Sequence, residues 1–362
     1  MGRREEGLRT VIQALKERQG PPCLVTAGFD GCVDAVLRPI RRRAGQETDY
    51  FSTIASFGAY LQTKAGLSCA VGVEPVSRRF GGNAPNLCAA VAALGGHASC
   101  VGNLGGPEPC FQAVGADLYT IGPAGVCDAL QFSDGKVMLS SMRETEHITF
   151  RDVRDAVGAE RLDALFQDSG GTAFVNWAEM PHAADIWQGI VDEVWARHGP
   201  DREKWLLIDL TDCSRRPAEE LEEIAEVCAG AARYRRVVWS LNAGEGMQVA
   251  RHFRCVRGSA AESAQRLRER LSADLLVIHD VEECALAAPE GAVRVAGVPV
   301  RNPRISVGGG DHFNGALLFA LLHGLPPEAA AAFAAGYSAA FVARGRSPSL
   351  EEYAEFAGAE PD

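Results

Sequence analysis

Ser306-Val307-Gly308-Gly309-Gly310-Asp311-His312-Phe313-Asn314-Gly315-Ala316-Leu317 is a glycine run that ends in an acid and continues as an apolar, helix-forming stretch. Three glycines let consecutive backbone N–H groups turn toward one point without interference from a Cβ. A helix opening there adds partial positive charge at its N-terminus, and the two together suit the charge on a transferring phosphate. Asp311 falls in the first turn, where a carboxylate aimed at the same point can take a proton from an attacking hydroxyl. The run is expected to follow a strand. The competing reading is an ordinary glycine turn with Asp311 as the helix N-cap.

A second turn of the same kind stands upstream at Phe80-Gly81-Gly82-Asn83-Ala84-Pro85-Asn86. It leads into LCAAVAALGG and then HASCVGNLGG, a helix and a strand by pattern. A Gly-Gly pair before a helix lets a ligand approach backbone amides, and Asn83 and Asn86 offer donors and acceptors suited to hydroxyl groups. A plain strand–turn–helix with Asn caps is the alternative.

Around these turns, apolar β-type runs (23–27, 98–101, 172–176, 205–210, 236–240, 274–279) alternate with helical patterns (85–94, 182–198, 218–232, 259–271). That alternation predicts an α/β fold, a doubly wound and mainly parallel sheet with helices on both faces, whose ligands gather at the carboxyl ends of the strands. Residues 126–150 break the pattern. Asp134-Gly135 is a hairpin signal between two β-like runs, and this segment, with pieces near 32–54, predicts a small β-sheet projecting from one domain spanning 1–362. No linker or internal repeat interrupts the chain.

The composition agrees with a folded α/β protein. The chain has 362 residues, 47% hydrophobic and 23% charged, with a net charge of -11. It has no long basic run, which argues against nucleic acid as a partner, and Arg41-Arg42-Arg43 reads as a solvated loop. Eleven cysteines without CxxC spacing read as reduced thiols and a cytoplasmic location, and no zinc motif is present. The N-terminal stretch is charged throughout, unlike a signal peptide; Leu8, Val11, Ile12 and Leu15 share one face of a predicted helix. No run is apolar enough for a membrane span, the nearest being 328–341. His147, His182, His252 and His323 stand alone and read as surface or packing residues.

GGNAPN…AALGG…VGNLG and GGGDHFNGALL resemble, in order and separation, the two signature regions of the PfkB, or ribokinase-like, carbohydrate kinases, and the likeness runs over roughly 24–345. The resemblance implies a doubly wound domain with a β lid and the transfer of the γ-phosphate of ATP, with Mg²⁺, to a hydroxyl of a sugar or related small molecule. Asp311 matches the family's catalytic base, and the amides of Gly308, Gly309 and Gly310 its anion hole. Gly81, Gly82 and Asn86 match the substrate turn. Ser240-Leu241-Asn242-Ala243-Gly244-Glu245 resembles the N-x-x-E element, which would bring Asn242 to the nucleotide and Glu245 to Mg²⁺ through water. Gly28-Phe29-Asp30-Gly31-Cys32-Val33-Asp34 covers the place of a sugar-binding acid, Asp34 first and Asp30 second. A homodimer through the lid resembles what relatives do.

Three departures accompany the likeness. Ile305 and Ser306 replace an Asp-Thr pair that helps to build a monovalent-cation site, so potassium is not implied. Residues 279–285 lack the glycines of a nucleotide-contacting turn and carry Glu282 and Glu283, which would repel a triphosphate unless they point away. Asn103-Leu104-Gly105-Gly106-Pro107 lacks a following Asp-x-x-Gly. The alternatives to a kinase are therefore a non-catalytic sugar- or nucleotide-binding protein on the same fold, and a nucleotide hydrolase. Arg78 and Arg79 flank the substrate turn and are candidates for a substrate phosphate, while Asn176-Trp177 is a candidate to face the substrate.

Overall fold

The computed structural model describes residues 11–13, 15, 23–45, 47–105, 109–305 and 307–358. Leu8, Gly106, Pro107 and Ser306 lie outside them. Residues 11–13 and 15 are helical, and Ile12 and Leu15 are buried, as their spacing predicts.

Fourteen strands lie among the described residues. In chain order they are β1 (Leu24–Phe29), β2 (Cys32–Ala44), β3 (Glu47–Tyr50), β4 (Val73–Gly81), β5 (His97–Gly102), β6 (Asp117–Thr120) and β7 (Gly125–Phe132), followed by β8 (Gly135–Ser141), β9 (Gly171–Phe174), β10 (Trp205–Ile208), β11 (Arg236–Asn242), β12 (Leu275–His279), β13 (Glu283–Ala288) and β14 (Gly291–Ala296). Nine build one sheet in the order β14-β13-β12-β11-β10-β9-β1-β5-β6. It is parallel from β6 to β12, and β13 and β14 close one edge antiparallel.

The inner strands, β10 above all, are largely apolar because both faces are covered. Leu207, Val238 and Val277 point into one core, with the helices Asn83–Ala93, Gly309–Leu322 and Pro327–Arg344. Leu206, Ile208 and Trp239 point into the other, with Ala183–Ile190, Glu220–Ala231 and Ala260–Arg270. Each such Leu, Ile or Val contributes roughly 1.5–3 kcal/mol by burial. The helices Asn83–Ala93 and Gly309–Leu322 meet backbone to side. A Cβ on Gly315 would lie 2.7 Å from the Leu87 carbonyl oxygen, so only glycine permits the approach, and a larger residue there would cost about 1–3 kcal/mol by overpacking.

A second, five-stranded sheet runs β3-β2-β7-β8, with β4 also paired to β2. Its β7–β8 hairpin turns at Ser133 and Asp134, and Asp134 accepts a hydrogen bond from the Ile54 N–H at 2.9 Å. Its own small core joins Phe51, Leu130 and Phe132 to Ile54, Phe57 and Tyr60 of the helix Ile54–Gln62. Three details differ from the sequence expectation. Strand β4 belongs to this sheet although its pattern does not announce it: most of it is exposed and carries Glu74, Arg78 and Arg79. After Ser141 the chain leaves the sheet as a turn and enters the helix Phe150–Val157 through a Thr149–Asp152 capping box. The expected strand before the Gly308 turn is also absent, because residues 297–305 form a loop.

Candidate active site

Both glycine turns lie at the carboxyl edge of the large sheet. Gly82 opens the helix Asn83–Ala93 at φ 97°, and Gly308 opens the helix Gly309–Leu322 at φ 88°. Neither provides a side-chain cap. At Gly82 a Cβ would also lie 2.9 Å from the Gly31 Cα and 3.0 Å from a carboxylate oxygen of Asp30.

Asp30 supplies the missing cap of the first turn. It is fully buried at the end of β1, and its carboxylate accepts the N–H groups of Asn83 (2.7 Å) and Ala84 (2.9 Å) and the Asn176 side-chain amide (2.9 Å). Burial pushes its carboxyl above the ordinary range while these three bonds pull it back. Asp34 sits on β2 opposite Arg79 of β4, with Oδ2 3.6 Å from the guanidinium. A Cβ on Gly81 would meet its Oδ1 at 2.7 Å. Burial raises this carboxyl too, opposed by Arg79 and by Lys136. The two aspartates thus differ in kind: Asp30 is saturated by the fold, and Asp34 shares its face of the small sheet with two cations.

On the other turn, Asp311 is half-buried and accepts a hydrogen bond from the Asn86 amide at 3.2 Å. Burial, then the charges of Asp209, Asp30 and Glu245, push its carboxyl well above the usual range. The first N–H groups of this helix have no intrahelical acceptor. His312 braces the turn from behind: Nδ1 donates to the Gly308 carbonyl (2.8 Å), Nε2 accepts from Ser347 (2.7 Å), and the ring stacks on Phe341. Burial pushes it down to about 3, so it is a neutral strut.

Asn242 and Glu245 form a capping box at the start of the helix Ala243–His252, Asn242 accepting the Glu245 N–H at 3.0 Å and Glu245 the Asn242 N–H at 2.9 Å. Burial and then Asp209 push Glu245 up to about 9. Asp209, just past β10, accepts from the Thr211 N–H (2.8 Å) and the Asn314 amide (2.5 Å), and burial pushes it up to about 6. Among the described residues no Lys or Arg pairs with Asp30, Asp209, Glu245 or Asp311. Nor do three acids, histidines or cysteines come close enough together to ligate a metal directly.

A cleft of about 540 Å³ adjoins this edge, lined by Asn242, His279, Gly309, Gly310, Phe313 and Val342 among others. Gly309 and Gly310 share its lining with apolar residues such as Val298, Val300 and Ala339. His279 stacks on Phe313 and is pushed down to about 4 by burial, so it too is neutral. Glu282 and Glu283 are not in its lining. Glu283 turns to the sheet edge and accepts from Arg294 Nε at 2.8 Å, whereas Asp280 of the same stretch does line the cleft.

Sequence reasoning missed Asp209 and Thr211 and left Asn176 ambiguous. Each is a lone polar residue where an apolar strand ends, and the rule that ligands gather at carboxyl ends is the signal that could have found them. Asn176 bonds Asp30, and Trp177 is buried beneath the Arg216 guanidinium. Arg79 is engaged with Asp34 rather than free.

The comparisons agree with this geometry. The profile of the prokaryotic ketohexokinase family matches residues 5–359. A ketohexokinase of Haloferax volcanii is 29% identical over 342 residues, covering 92% of this chain and 90% of that protein. The Arabidopsis thaliana ribokinase solved with ribose and ATP superposes with a TM-score of 0.66 at 15% identity, covering 94% of this chain and 100% of that one. The adenosine kinase of Sinorhizobium meliloti gives a TM-score of 0.64 at 17% identity, covering 94% and 99%. These two share the fold. No helix among the described residues is long and apolar enough to cross a membrane. The chain belongs to the prokaryotic ketohexokinase family and is an ATP-dependent carbohydrate kinase.

Proposed function

We propose that the acceptor is a free ketohexose and that Asp311 is the base that takes the proton from its attacking hydroxyl. The observation that carries this reading is the Asn86–Asp311 hydrogen bond at 3.2 Å, which spans the two glycine turns. A carboxylate held between a hydroxyl-binding turn and a phosphate-binding turn is where proton abstraction must occur for in-line transfer. Burial and neighbouring acids strengthen Asp311 as a base. Its side chain is not wholly buried, which leaves room for a substrate.

In this reading Asp34, Gly81, Gly82 and Asn86 hold the sugar hydroxyls. ATP occupies the cleft beside Asn242, with its transferring phosphate against the N–H groups of the Gly308, Gly309 and Gly310 turn. A hydrated Mg²⁺ fits the chemistry nearby: Glu245 is a buried oxygen donor without a cation partner, and Mg²⁺ keeps several waters where protein ligands are few. Bound there, it would supply positive charge to the phosphates. The chain's own work is positioning and charge stabilisation. A free sugar is favoured over a sugar phosphate because Asp30 occupies the N–H groups of the first turn and Asp34 offsets Arg79. The small sheet acts as a lid that excludes water when it closes. Its exposed Leu139 (56%) and Val126 (44%) suit pairing with a second copy.

The test is ADP release with Mg-ATP across ketohexoses, aldohexoses, sugar phosphates and nucleosides. Release that depends on a ketohexose is the expected result. Release with a nucleoside or sugar phosphate alone overturns the acceptor assignment. Release without any acceptor points to a hydrolase, and silence of the folded protein across the panel to a binding protein.

A further inference from the structure

Four residues other than glycine have positive φ among the described residues: Asn176, Thr211, Arg254 and Ser272. Arg254 and Ser272 each lie two residues past the end of a helix, where chains commonly leave through left-handed backbone. Asn176 and Thr211 instead lie just beyond β9 and β10, at the edge that carries the site. Asparagine tolerates this conformation. Thr211, at φ 62°, is β-branched, and for such a residue it is a genuine outlier. Strain of this kind persists only where the surroundings hold it, and it concentrates at functional sites.

What holds Thr211 is a continuous set of hydrogen bonds. Its N–H donates to Asp209 Oδ1 at 2.8 Å, and its hydroxyl accepts from the Asn83 side-chain amide at 2.9 Å. Asn83 is the first residue of the helix behind the Gly82 turn, and its own N–H is fixed on Asp30 at 2.7 Å. The second oxygen of Asp209 accepts from Asn314 at 2.5 Å, one turn beyond Asp311 in its helix. Thr211 therefore stands between the two turns, bonded toward each.

We propose that Thr211 is a positioning residue whose left-handed backbone and hydroxyl tie the acceptor turn to the helix of Asp311, setting where the acceptor hydroxyl meets the base. The inference rests on the reading that the Gly82 turn holds the acceptor. Glycine adopts φ 62° without strain, so a merely structural role makes Thr211→Gly neutral or stabilising, with activity unchanged.

The experiment uses the full chain and the sugar identified by the ADP-release panel. Thr211→Gly is expected to melt no lower than the native protein yet to lose about ten- to hundredfold in kcat/KM for the sugar. Its KM for ATP should stay within about twofold, and Thr211→Ser, which keeps the hydroxyl, should recover to within about threefold of native activity. Asn83→Ala removes the other end of the same bond and serves if the glycine variant does not fold. In the glycine background it should add no further loss, since the two residues act through one contact. Unchanged kcat/KM in Thr211→Gly, or fully additive losses in the double variant, overturns the inference while leaving the kinase assignment intact. A native protein active on no sugar overturns both.

Discussion

The two glycine turns are built alike and end up chemically opposite. Each has a positive-φ glycine at a helix N-terminus without a side-chain cap of its own. At Gly82 an internal carboxylate, Asp30, takes the N–H groups of Asn83 and Ala84. At Gly308 no side chain among the described residues does so, and the turn faces the cleft through Gly309 and Gly310. A helix N-terminus is a ready anion site, so closing one with a buried aspartate and leaving the other open supports the proposal that phosphate binds at the Gly308 turn. The lesson is that a glycine turn's ligand is decided by what already sits on its amides.

The largest effect should come from the carboxylate between the turns. Asp311→Asn is expected to lower kcat by about 10²- to 10⁴-fold, the usual range for a general base; a loss under about threefold in ADP-release kinetics would remove Asp311 from that role. The two glycines themselves should differ. Gly82→Ala meets the Gly31 backbone at φ 97° and should cost about 3 kcal/mol in denaturant melts, whereas Gly308→Ala, at φ 88° with its nearest neighbour the Asn86 amide at 3.4 Å, should cost about 1 kcal/mol. Equal costs would break the contrast in packing. Asp30→Asn should cost about 2 kcal/mol by weakening charged hydrogen bonds. It should also make inorganic phosphate compete with the sugar; phosphate that still competes only with ATP would mean that Asp30 is not what closes the turn.

The smallest effect is a pH dependence at Asp209. Its folded value is pushed up to about 6, above the ordinary value near 3.9 of an unfolded chain. The folded state therefore holds the proton more tightly, and the stability this gives at low pH is lost as pH rises through about 6. Thermal midpoints should fall between about pH 4 and 6, with a shallower fall in Asp209→Asn; the same slope in both proteins would assign the titration elsewhere.

Much of this was legible in the chain because the informative signals were local. Gly-Gly-Asn and Gly-Gly-Gly-Asp are contiguous, so their turns, helices and polar residues could be read together. The parallel sheet followed from strands apolar on both faces. What could not be read was assembled from distant residues. Asp30 and Asp34 are four positions apart and both plausible, and only pairing separates them: one caps a helix 53 residues away, the other faces Arg79 across β2 and β4. Thr211 is silent in sequence because its meaning lies in a backbone angle. Strand β4 was hidden by its exposure, and the threat posed by Glu283 dissolved through Arg294 on the neighbouring strand.

The contact between Gly315 and the Leu87 carbonyl has a consequence for how such an enzyme can diversify. It fixes how closely the two helices behind the glycine turns approach, and leaves only the rim of the turns to side chains such as Thr211 and Asn83. The spacing of the two helices is in that sense a constant of the scaffold. Asp34, Arg79 and Lys136 instead hang from strands of the small sheet, where single replacements leave the frame intact. On the proposed reading, in which Asp34 holds the sugar, a change of sugar is reached through that sheet one residue at a time, while the spacing of the two helices stays where they touch.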